Sequence, residues 1–410
     1  MTEISLDAAV TSGSIELGRG NIISSKDVAR KPGDYPIYSS SAQGKGEFGR
    51  YSEFMFDEEL ITWSVDGGGR FFFRPKHKFS VTNVSGYMRI RDDAWNKKYV
   101  YYALDFQHAS QAFDYQSKAH PSVIRHIYKL KKFSPDEQAK IAEVLAAVDQ
   151  AIEQTEALIA KQQRIKTGLM QDLLTRGIDE HGQLRTEQTH AFKDSPLGRI
   201  PVEWDVQTLE SVSEFVTSGS RGWAQYYSTE GALFLRIGNL TRKHINMRFD
   251  DVIRVSPPAS SEGERTAVKK DDLLISITAD LGIVAVIPDG FETAYVNQHI
   301  ALTRLNRSQA HARFVGWFFN AQLGQAQFDK LNESGAKAGL NLPSIKNLQI
   351  PVPSLDEQVK IAQAIDAATE KTDEFHARLV KCQSLKRALM QDLLTGRKRV
   401  TDLLSPEVSA

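Results

Sequence analysis

The chain has 410 residues, 41 % of them hydrophobic and 25 % charged, which is typical of an ordinary globular protein with two or more domains. Lys and Arg together number 51, as do Asp and Glu, so the chain lacks the overall basic excess of a nonspecific nucleic-acid binder. A single cysteine, Cys382, excludes an internal disulfide framework and a cysteine-rich zinc module, and it favours a cytoplasmic protein. No membrane span and no signal peptide are expected.

Residues 1–133 are predicted to form a first globular domain that mixes strands with a helix. Two polar stretches in it, residues 38–46 and 70–78, carry cations, amides and interleaved aromatic rings. Arg and Lys side chains bind guanine edges and phosphates, and Gln binds adenine edges, so these stretches are candidate DNA contacts. The alternative for each stretch is an ordinary solvated turn. The candidates here are Ser40, Gln43, Lys45, Arg70, Arg74, Lys76 and Lys78.

Residues 134–176 are predicted to form one long helix. Ser134 and Glu137 have the spacing of a capping box, and Pro135 suits the first helical position. Apolar residues then recur with the four-three spacing of a coiled-coil seam. That seam comprises Ile141, Leu145, Val148, Ile152, Leu169 and Leu173. The polar, aperiodic residues 177–200 are predicted to be a linker.

Residues 201–353 are predicted to form a second α+β domain, and residues 354–396 a second long helix, with a tail at 397–410. The polar loops of this domain supply further candidate DNA contacts. These are Arg221, Arg236, Asn239, Arg242, Lys243 and Lys337. The seam of the second helix comprises Ile361, Ile365, Phe375, Leu379, Leu389 and Leu393.

The two long helices are copies of one another, 220 residues apart and without a gap. The tripeptide DEQ occurs at 136–138 and 356–358, and LMQDLLT occurs at 169–175 and 389–395. A fainter repeat, VTSGS at 10–14 and 216–220, extends the internal repeat into the globular domains. The predicted fold class is α+β, with two globular domains separated by two long helices in an antiparallel coiled coil and a pseudo-twofold internal repeat. The alternative is that each helix packs only on its own domain.

Sequence motifs of catalysis are missing from the chain. It has no P-loop, no amino-methyltransferase signature and no zinc-binding His/Glu or Cys/His pattern. We therefore predict no catalytic residue, no metal and no cofactor bound by this chain.

The order of these motifs resembles the specificity (S) subunit of type I restriction-modification systems over nearly the whole chain. The resemblance is carried by the duplicated DEQxKIA and LMQDLLT helices, by LGRIP at 197–201 with Trp204, and by LRIGN at 235–239, LLIS at 273–276 and NQHI at 297–300. It implies two target-recognition domains, each reading one half of a bipartite, asymmetric site in double-stranded DNA. The helices would set the gap between the halves and dock two modification subunits, which bind S-adenosylmethionine and methylate adenine N6.

The resemblance also implies restriction subunits as further partners, a role in phage defence, and a chain that is not itself an enzyme. Two other classes of function stay open at this point. One is a coiled-coil scaffold that presents two domains to protein partners without reading DNA, and the other is an enzyme with an unrecognised site. Preserved helices beside divergent globular domains favour the bipartite reader over the scaffold.

Overall fold

The computed structural model describes residues 2–40, 46–66, 70–111, 113, 118–333 and 340–404. The chain forms two compact units. The first unit comprises Met1–Glu156 and Ala377–Ala410, and the second comprises Ala157–His376. The sequence-based boundaries follow the ends of the long helices, whereas the compact units divide both helices. The two division points lie 220 residues apart, at equivalent places in the internal repeat.

The first unit is built on a six-stranded sheet with the order β2-β7-β5-β6-β3-β4, next to an antiparallel pair of β1 and β8. Its strands are β1 (Thr2–Ser5), β2 (Ile15–Arg19), β3 (Tyr35–Tyr38), β4 (Glu47–Tyr51), β5 (Phe56–Ser64), β6 (Phe71–Val81), β7 (Ser85–Ile90) and β8 (Lys129–Lys132). Its helices are α1 (Leu6–Thr11), α2 (Ser25–Arg30), α3 (Lys97–His108) and α4 (Pro121–Ile127), followed by the start of the first long helix, α5 (Pro135–Thr175).

The second unit contains two four-stranded sheets, β12-β19-β16-β17 and β13-β15-β14-β18, and the two-stranded pairs β9-β10 and β11-β20. Its strands are β9 (Phe192–Ser195), β10 (Gly198–Pro201), β11 (Asp205–Thr208), β12 (Ser213–Ser218), β13 (Tyr227–Ser228), β14 (Ala232–Leu235), β15 (Arg254–Val255), β16 (Leu273–Ser276), β17 (Val284–Val286), β18 (Ala294–Val296), β19 (Ile300–Leu305) and β20 (Gln349–Val352). Its helices are α6 (Ser261–Thr266), α7 (Ala312–Asn320), α8 (Gln322–Glu333) and α9 (Leu342–Lys346), followed by the start of the second long helix, α10 (Leu355–Leu394).

In the first unit, the start of one long helix and the end of the other share one hydrophobic core. Ile141 and Leu145 of the first long helix belong to the same buried cluster as Met390 and Leu393 of the second, together with Trp63 from the sheet. Full burial of such side chains stabilises the fold by about 1.5–3 kcal/mol each. The two helix segments therefore pack together with opposite chain directions.

The second unit repeats this arrangement with the roles of the helices exchanged. Leu173 near the end of the first long helix shares a core with Ile361 and Ile365 near the start of the second, and with Trp317 and Phe318 of α7. The predicted fold class, including the antiparallel pairing, is confirmed. The alternative, in which each helix packs only on its own domain, is wrong because both cores mix residues of the two helices.

The glutamine of the repeated DEQ motif joins each long helix to the domain that precedes it. The side-chain oxygen of Gln138 accepts a hydrogen bond of 2.9 Å from the backbone N–H of Asn96, the residue that caps α3. The side-chain oxygen of Gln358 accepts one of 2.8 Å from His311, which precedes α7. Both amides are buried and satisfied, so the motif is retained by packing and hydrogen bonding.

Two predicted elements differ from the structure. The sequence pattern predicts one helix over residues 312–323, but this region forms α7 and the start of α8, separated at Ala321, whose backbone is extended. Gly324 then approaches the backbone of Phe318 so closely that a Cβ would lie 2.3 Å from its carbonyl oxygen, so no larger residue fits. The predicted linker also has regular structure, because β9 and β10 pair within it and Arg185 is buried.

Candidate nucleic-acid interface

The basic stretch of the first unit lies on strand β6, and its side chains alternate between the two faces of the sheet. Phe72 and Arg74 share one face, but the pairing of β6 with β5 shifts register between Arg74 and His77, so this alternation does not continue through Lys76 and Lys78. Arg70, which is exposed just before the strand, has its guanidinium carbon 5.7 Å from the ring centre of Phe72. This face can offer positive charge and stacking surfaces together, which are the two features that nucleic acid engages.

Arg74 departs from the sequence-based expectation of a solvent-facing base contact, because it is only 4 % exposed. Its guanidinium carbon lies 3.5 Å from the ring centre of Tyr38 and 4.6 Å from that of Phe72, and its Nε donates to the hydroxyl of Thr62 at 2.9 Å. Burial lowers its pKa to about 10, since desolvation penalises the charged form. Arg74 thus holds β3, β5 and β6 together from within.

Lys76 and Lys78, which follow Arg74 along the strand, are exposed. The Nζ atom of Lys78 lies 4.7 Å from the ring centre of Phe54 and 5.5 Å from that of Tyr35. Lys76 has no hydrogen bond or ion pair with any residue that the structure describes, so its ammonium is available to an outside anion. These two lysines are the solvent-facing cations that strand β6 presents.

In the second unit, Asn239 also departs from the expectation, because it is only 3 % exposed. Its side-chain oxygen accepts from the N–H of Arg236 at 2.9 Å, and its amide donates to the carbonyls of Arg248 and Asp251 at 3.1 and 3.0 Å. These bonds close the loop around a short 3₁₀ turn, Ile237–Asn239. The amide has no spare donor for an adenine edge.

The arginines near this loop differ in how far they are engaged. Arg236 pairs with Asp251 at 2.6 Å, and Arg242 pairs with Asp280 and donates to Gln325 at 2.7 Å. Arg221, by contrast, is exposed and has no bonded partner among the residues that the structure describes. The guanidinium of Arg221 is therefore available to an outside partner.

The remaining predicted contacts divide into two groups. Ser40 is half-buried after β3, and Lys243 is exposed with its carbonyl bound to the ammonium of Lys166 at 3.3 Å. Gln43, Lys45 and Lys337 lie outside the described residues. DNA contact by the predicted residues stays a prediction, with Lys76, Lys78 and Arg221 the candidates that geometry favours.

The predicted seam residues of the long helices have graded burial. Ile141, Leu145, Leu173, Ile361, Ile365 and Leu393 are buried, whereas Val148, Ile152, Leu169, Phe375, Leu379 and Leu389 are half-buried. The buried residues lie near helix ends that the globular domains also cover. Leu169 and Leu389, although only half-buried, pack against the cores of the second and the first unit.

Several apolar side chains of the helices face solvent. Ile165 is 47 % exposed and Leu385 is 51 % exposed, and these two residues are equivalent in the 220-residue repeat. Leu158 and Val380 are exposed as well. A charged or polar residue would be expected on an unpartnered helix surface, so these apolar positions mark a candidate docking surface on each unit.

Sequence reasoning missed two arginine contacts to the buried glutamates at the helix starts. Glu137 of the first DEQ motif accepts from Arg399 at 2.6 Å, and Glu357 of the second pairs with Arg185. Each arginine comes from the segment that follows the opposite long helix. In the sequence, each arginine is only a charged residue in a polar segment. That pattern does not identify the glutamate that it contacts.

Within the described ranges, no group of three or more His, Cys, Asp or Glu side chains could hold a metal ion. In the same part of the chain, no helix has the length and apolar character needed to cross a membrane.

Comparison with known proteins matches both halves of the chain to one family. The family model for the type I restriction modification DNA specificity domain matches residues 14–162 and 201–381. The MjaVIII specificity subunit of a type I restriction enzyme from Methanocaldococcus jannaschii is 22 % identical over 352 residues, which cover 84 % of this chain and 80 % of that protein. The putative type I specificity subunit S.MpnORF285P of Mycoplasma pneumoniae is 30 % identical over 33 % of this chain and 45 % of its own length.

Among solved structures, the S subunit of a type I restriction-modification system from M. genitalium has a TM-score of 0.64 with 17 % identity, and the match covers 96 % of each chain. A chain from a structural study of type I complex assembly and conformational transition has a TM-score of 0.51, 16 % identity, and coverage of 96 % of this chain and 97 % of its own. These similarities establish the shared fold. Together with the family match to both halves, they show that the chain belongs to the type I restriction-modification specificity subunits, the family that supplies DNA sequence specificity in these complexes.

Proposed function

We propose that this chain is a non-catalytic reader of a bipartite, asymmetric DNA site, in which each unit's globular domain recognises one half of the site. The repeated frame with two different polar surfaces carries this proposal. The first unit offers Lys76 and Lys78 on a strand, whereas the second offers Arg221 in a loop. Two identical reading surfaces would suit a palindrome, but two different ones suit two unlike half-sites.

The long helices would fix the gap between the half-sites and dock two copies of a modification subunit. The exposed apolar residues Ile165 and Leu385 support this, because they occupy equivalent positions in the repeat. Equivalent surfaces on a pseudo-symmetric frame suit two copies of the same partner. Burial of such side chains would favour association through the hydrophobic effect.

The chemistry would belong to the partners. S-adenosylmethionine would bind the modification subunits, which methylate adenine N6, and restriction subunits would join the complex to cleave DNA. This chain would contribute sequence readout and spacing. The predicted absence of a catalytic residue and of a bound cofactor is part of this proposal.

Sequencing of N6-methyladenine at single-molecule resolution tests the proposal. Cells that express the chain with its modification subunit are compared with cells that lack only this chain. A split, gapped motif that disappears without the chain is expected. If methylation does not depend on the chain, the reading role is wrong, and a scaffold for protein partners becomes the better explanation.

A further inference from the structure

The second unit contains a cavity of about 800 Å³, which lies within the roughly 300–1,000 Å³ range of small-molecule sites. The cavity, here called the lysine cavity, is bounded by the end of α5, the middle of α10, and the junction of α7 with α8. Apolar side chains supply much of its wall. They are Met170, Leu174, Phe318 and Leu323.

Lys166 lines this cavity as a half-buried ammonium. Its Nζ atom lies 4.6 Å from the ring centre of Trp317 and donates to the carbonyl of Lys243 at 3.3 Å. No carboxylate in the part of the chain that the structure describes comes within 4.0 Å of it. Burial lowers the pKa of Lys166, although the more distant Asp373 and Asp366 oppose that shift. The ammonium thus has donors to spare and lacks a close counter-ion.

The equivalent lysine of the first unit does have a counter-ion. Lys386, which corresponds to Lys166 in the 220-residue repeat, pairs with Asp149 at 2.7 Å. Tyr102 donates its hydroxyl to the same carboxylate at 2.8 Å. The residue that corresponds to Asp149 in the second unit is Thr369, which also lines the lysine cavity. The repeat has therefore kept the lysine in both units but the carboxylate only in the first.

The other charged and titratable groups at the lysine cavity favour an anion. Lys243, His244 and His376 line it together with a single carboxylate, that of Asp373. The nearby Asp366 is occupied, because it accepts from Arg313 at 2.6 Å and from the indole N–H of Trp317 at 2.7 Å. Two lysines therefore line the cavity together with one aspartate that has no ion-pair partner among the described residues.

We infer that the lysine cavity binds a small organic anion with an apolar or aromatic body. The anionic head group takes the place of the missing carboxylate beside Lys166, and the body packs against the apolar wall. This site shares Lys243 with the predicted DNA contacts, but the inference does not depend on the proposed DNA function. An acidic side chain of a protein partner is the competing occupant.

Anilinonaphthalene sulfonate is a suitable probe, since it combines an aromatic body with a single negative charge and fluoresces when bound. We expect the full chain to bind one molecule saturably. Lys166→Met removes the charge at similar volume and should weaken binding at least tenfold. Thr369→Asp restores the counter-ion found in the first unit and should weaken binding to a similar extent. Lys386→Met is the matched control and should leave binding unchanged.

Circular dichroism checks that each variant is folded. If Thr369→Asp does not fold, the binding measured for Lys166→Met tests the inference alone. Absence of saturable binding by the unmodified chain would overturn the inference. So would equal binding by the unmodified chain and Lys166→Met. If adding the modification subunit displaces the probe, the cavity is assigned to an acidic side chain of that partner, and the small-molecule inference is wrong.

Discussion

Arg185 and Glu357 form an ion pair in which each side chain is only 9 % exposed. Two nitrogens of the guanidinium reach the two carboxylate oxygens, at 2.5 and 3.2 Å. The same carboxylate also accepts from the backbone N–H of Ile178 and from the indole N–H of Trp204. Glu357 lies in the first turn of the second long helix, so it ties that helix to the segment leaving the first one.

Replacing Glu357 with Ala should lower the free energy of unfolding of the second unit by about 3–5 kcal/mol, because Arg185 would remain buried without a counter-charge. Urea denaturation followed by circular dichroism measures this loss. Arg199→Ala is the matched control, since Arg199 pairs with Glu187 in the same segment while both side chains are more than half exposed. A loss no larger than that of the control would contradict a structural role for the buried pair.

The corresponding pair in the first unit should contribute less. Arg399 contacts Glu137 at 2.6 Å but is itself 43 % exposed, so water already screens its charge. Arg399→Ala is therefore expected to reduce stability, measured in the same denaturation experiment, by less than Arg185→Ala does. The reverse order would show that exposure does not govern the strength of these two contacts.

Lys76→Ala should weaken DNA binding by the assembled complex without lowering the stability of the chain. An exposed cation that contacts a phosphate contributes about one unit to the slope of log affinity against log salt concentration. Fluorescence anisotropy at several salt concentrations measures that slope. Lys129→Ala, which removes another exposed lysine of the same unit, is the control and should leave the slope unchanged.

Arg74→Ala should behave in the opposite way, because Arg74 is buried between Tyr38 and Phe72. Loss of its packing and of its bond to Thr62 is expected to destabilise the first unit by about 1–3 kcal/mol. Thermal unfolding measures this change. If the variant is as stable as the unmodified chain, the structural role of Arg74 is contradicted, and a direct contact with DNA bases becomes the better explanation.

Arg221→Ala tests whether the two domains read independently. Methylation is measured on two DNA substrates, one altered in each half of the site. Arg221→Ala should relax discrimination at one half only, and a Lys76→Ala/Lys78→Ala variant should affect only the other half. Equal loss at both halves by either variant would contradict separate reading by two domains.

Inserting four residues after Glu156 and four after His376 should lengthen the gap of the recognised site. The insertions fall at equivalent places in the repeat and add about one turn, or about 6 Å, to each long helix. At 3.4 Å per base pair, the gap should grow by about two base pairs while both half-site sequences stay the same. An active complex with an unchanged gap would contradict the spacing role of the helices.

Stability should fall as the pH is lowered from about 7 to 5.5. Burial lowers the pKa of His244 and of His311 below the ordinary value of 6.5, so the unfolded chain binds more protons in this range. Their contribution is present above pH 6.5 and is lost as the pH falls. His311→Asn should reduce this dependence, since asparagine does not titrate and suits the position before α7. Urea denaturation at several pH values checks this.

The sequence predicted the long helices and their pairing well, because a helical seam repeats locally and the two copies align without a gap. It predicted the exposure of Arg74 and Asn239 wrongly. Arg74 is covered by Tyr38 and Thr62 from neighbouring strands, and Asn239 is held by the carbonyls of Arg248 and Asp251. Both outcomes depend on residues brought together only by the fold.

The same limit applies to the segment between the first long helix and the second domain. Its polar, aperiodic sequence predicted a linker, yet Arg185 of that segment contacts Glu357, 172 residues further along the chain. A lone arginine in a polar stretch carries no sign of so distant a partner. The sequence spacing identified the glutamate of the DEQ motif as a helix-capping residue. It did not identify the arginine with which that glutamate also pairs.

The hydrogen bonds of Gln138 and Gln358 also bear on how this architecture can acquire new targets. Gln138 and Asn96 both lie before residue 157, and Gln358 and His311 both lie between residues 157 and 376. A genetic crossover in the middle of the long helices would therefore carry each domain together with its own anchor. Exchange between related genes at these places would replace one globular domain while keeping its attachment to the helix intact.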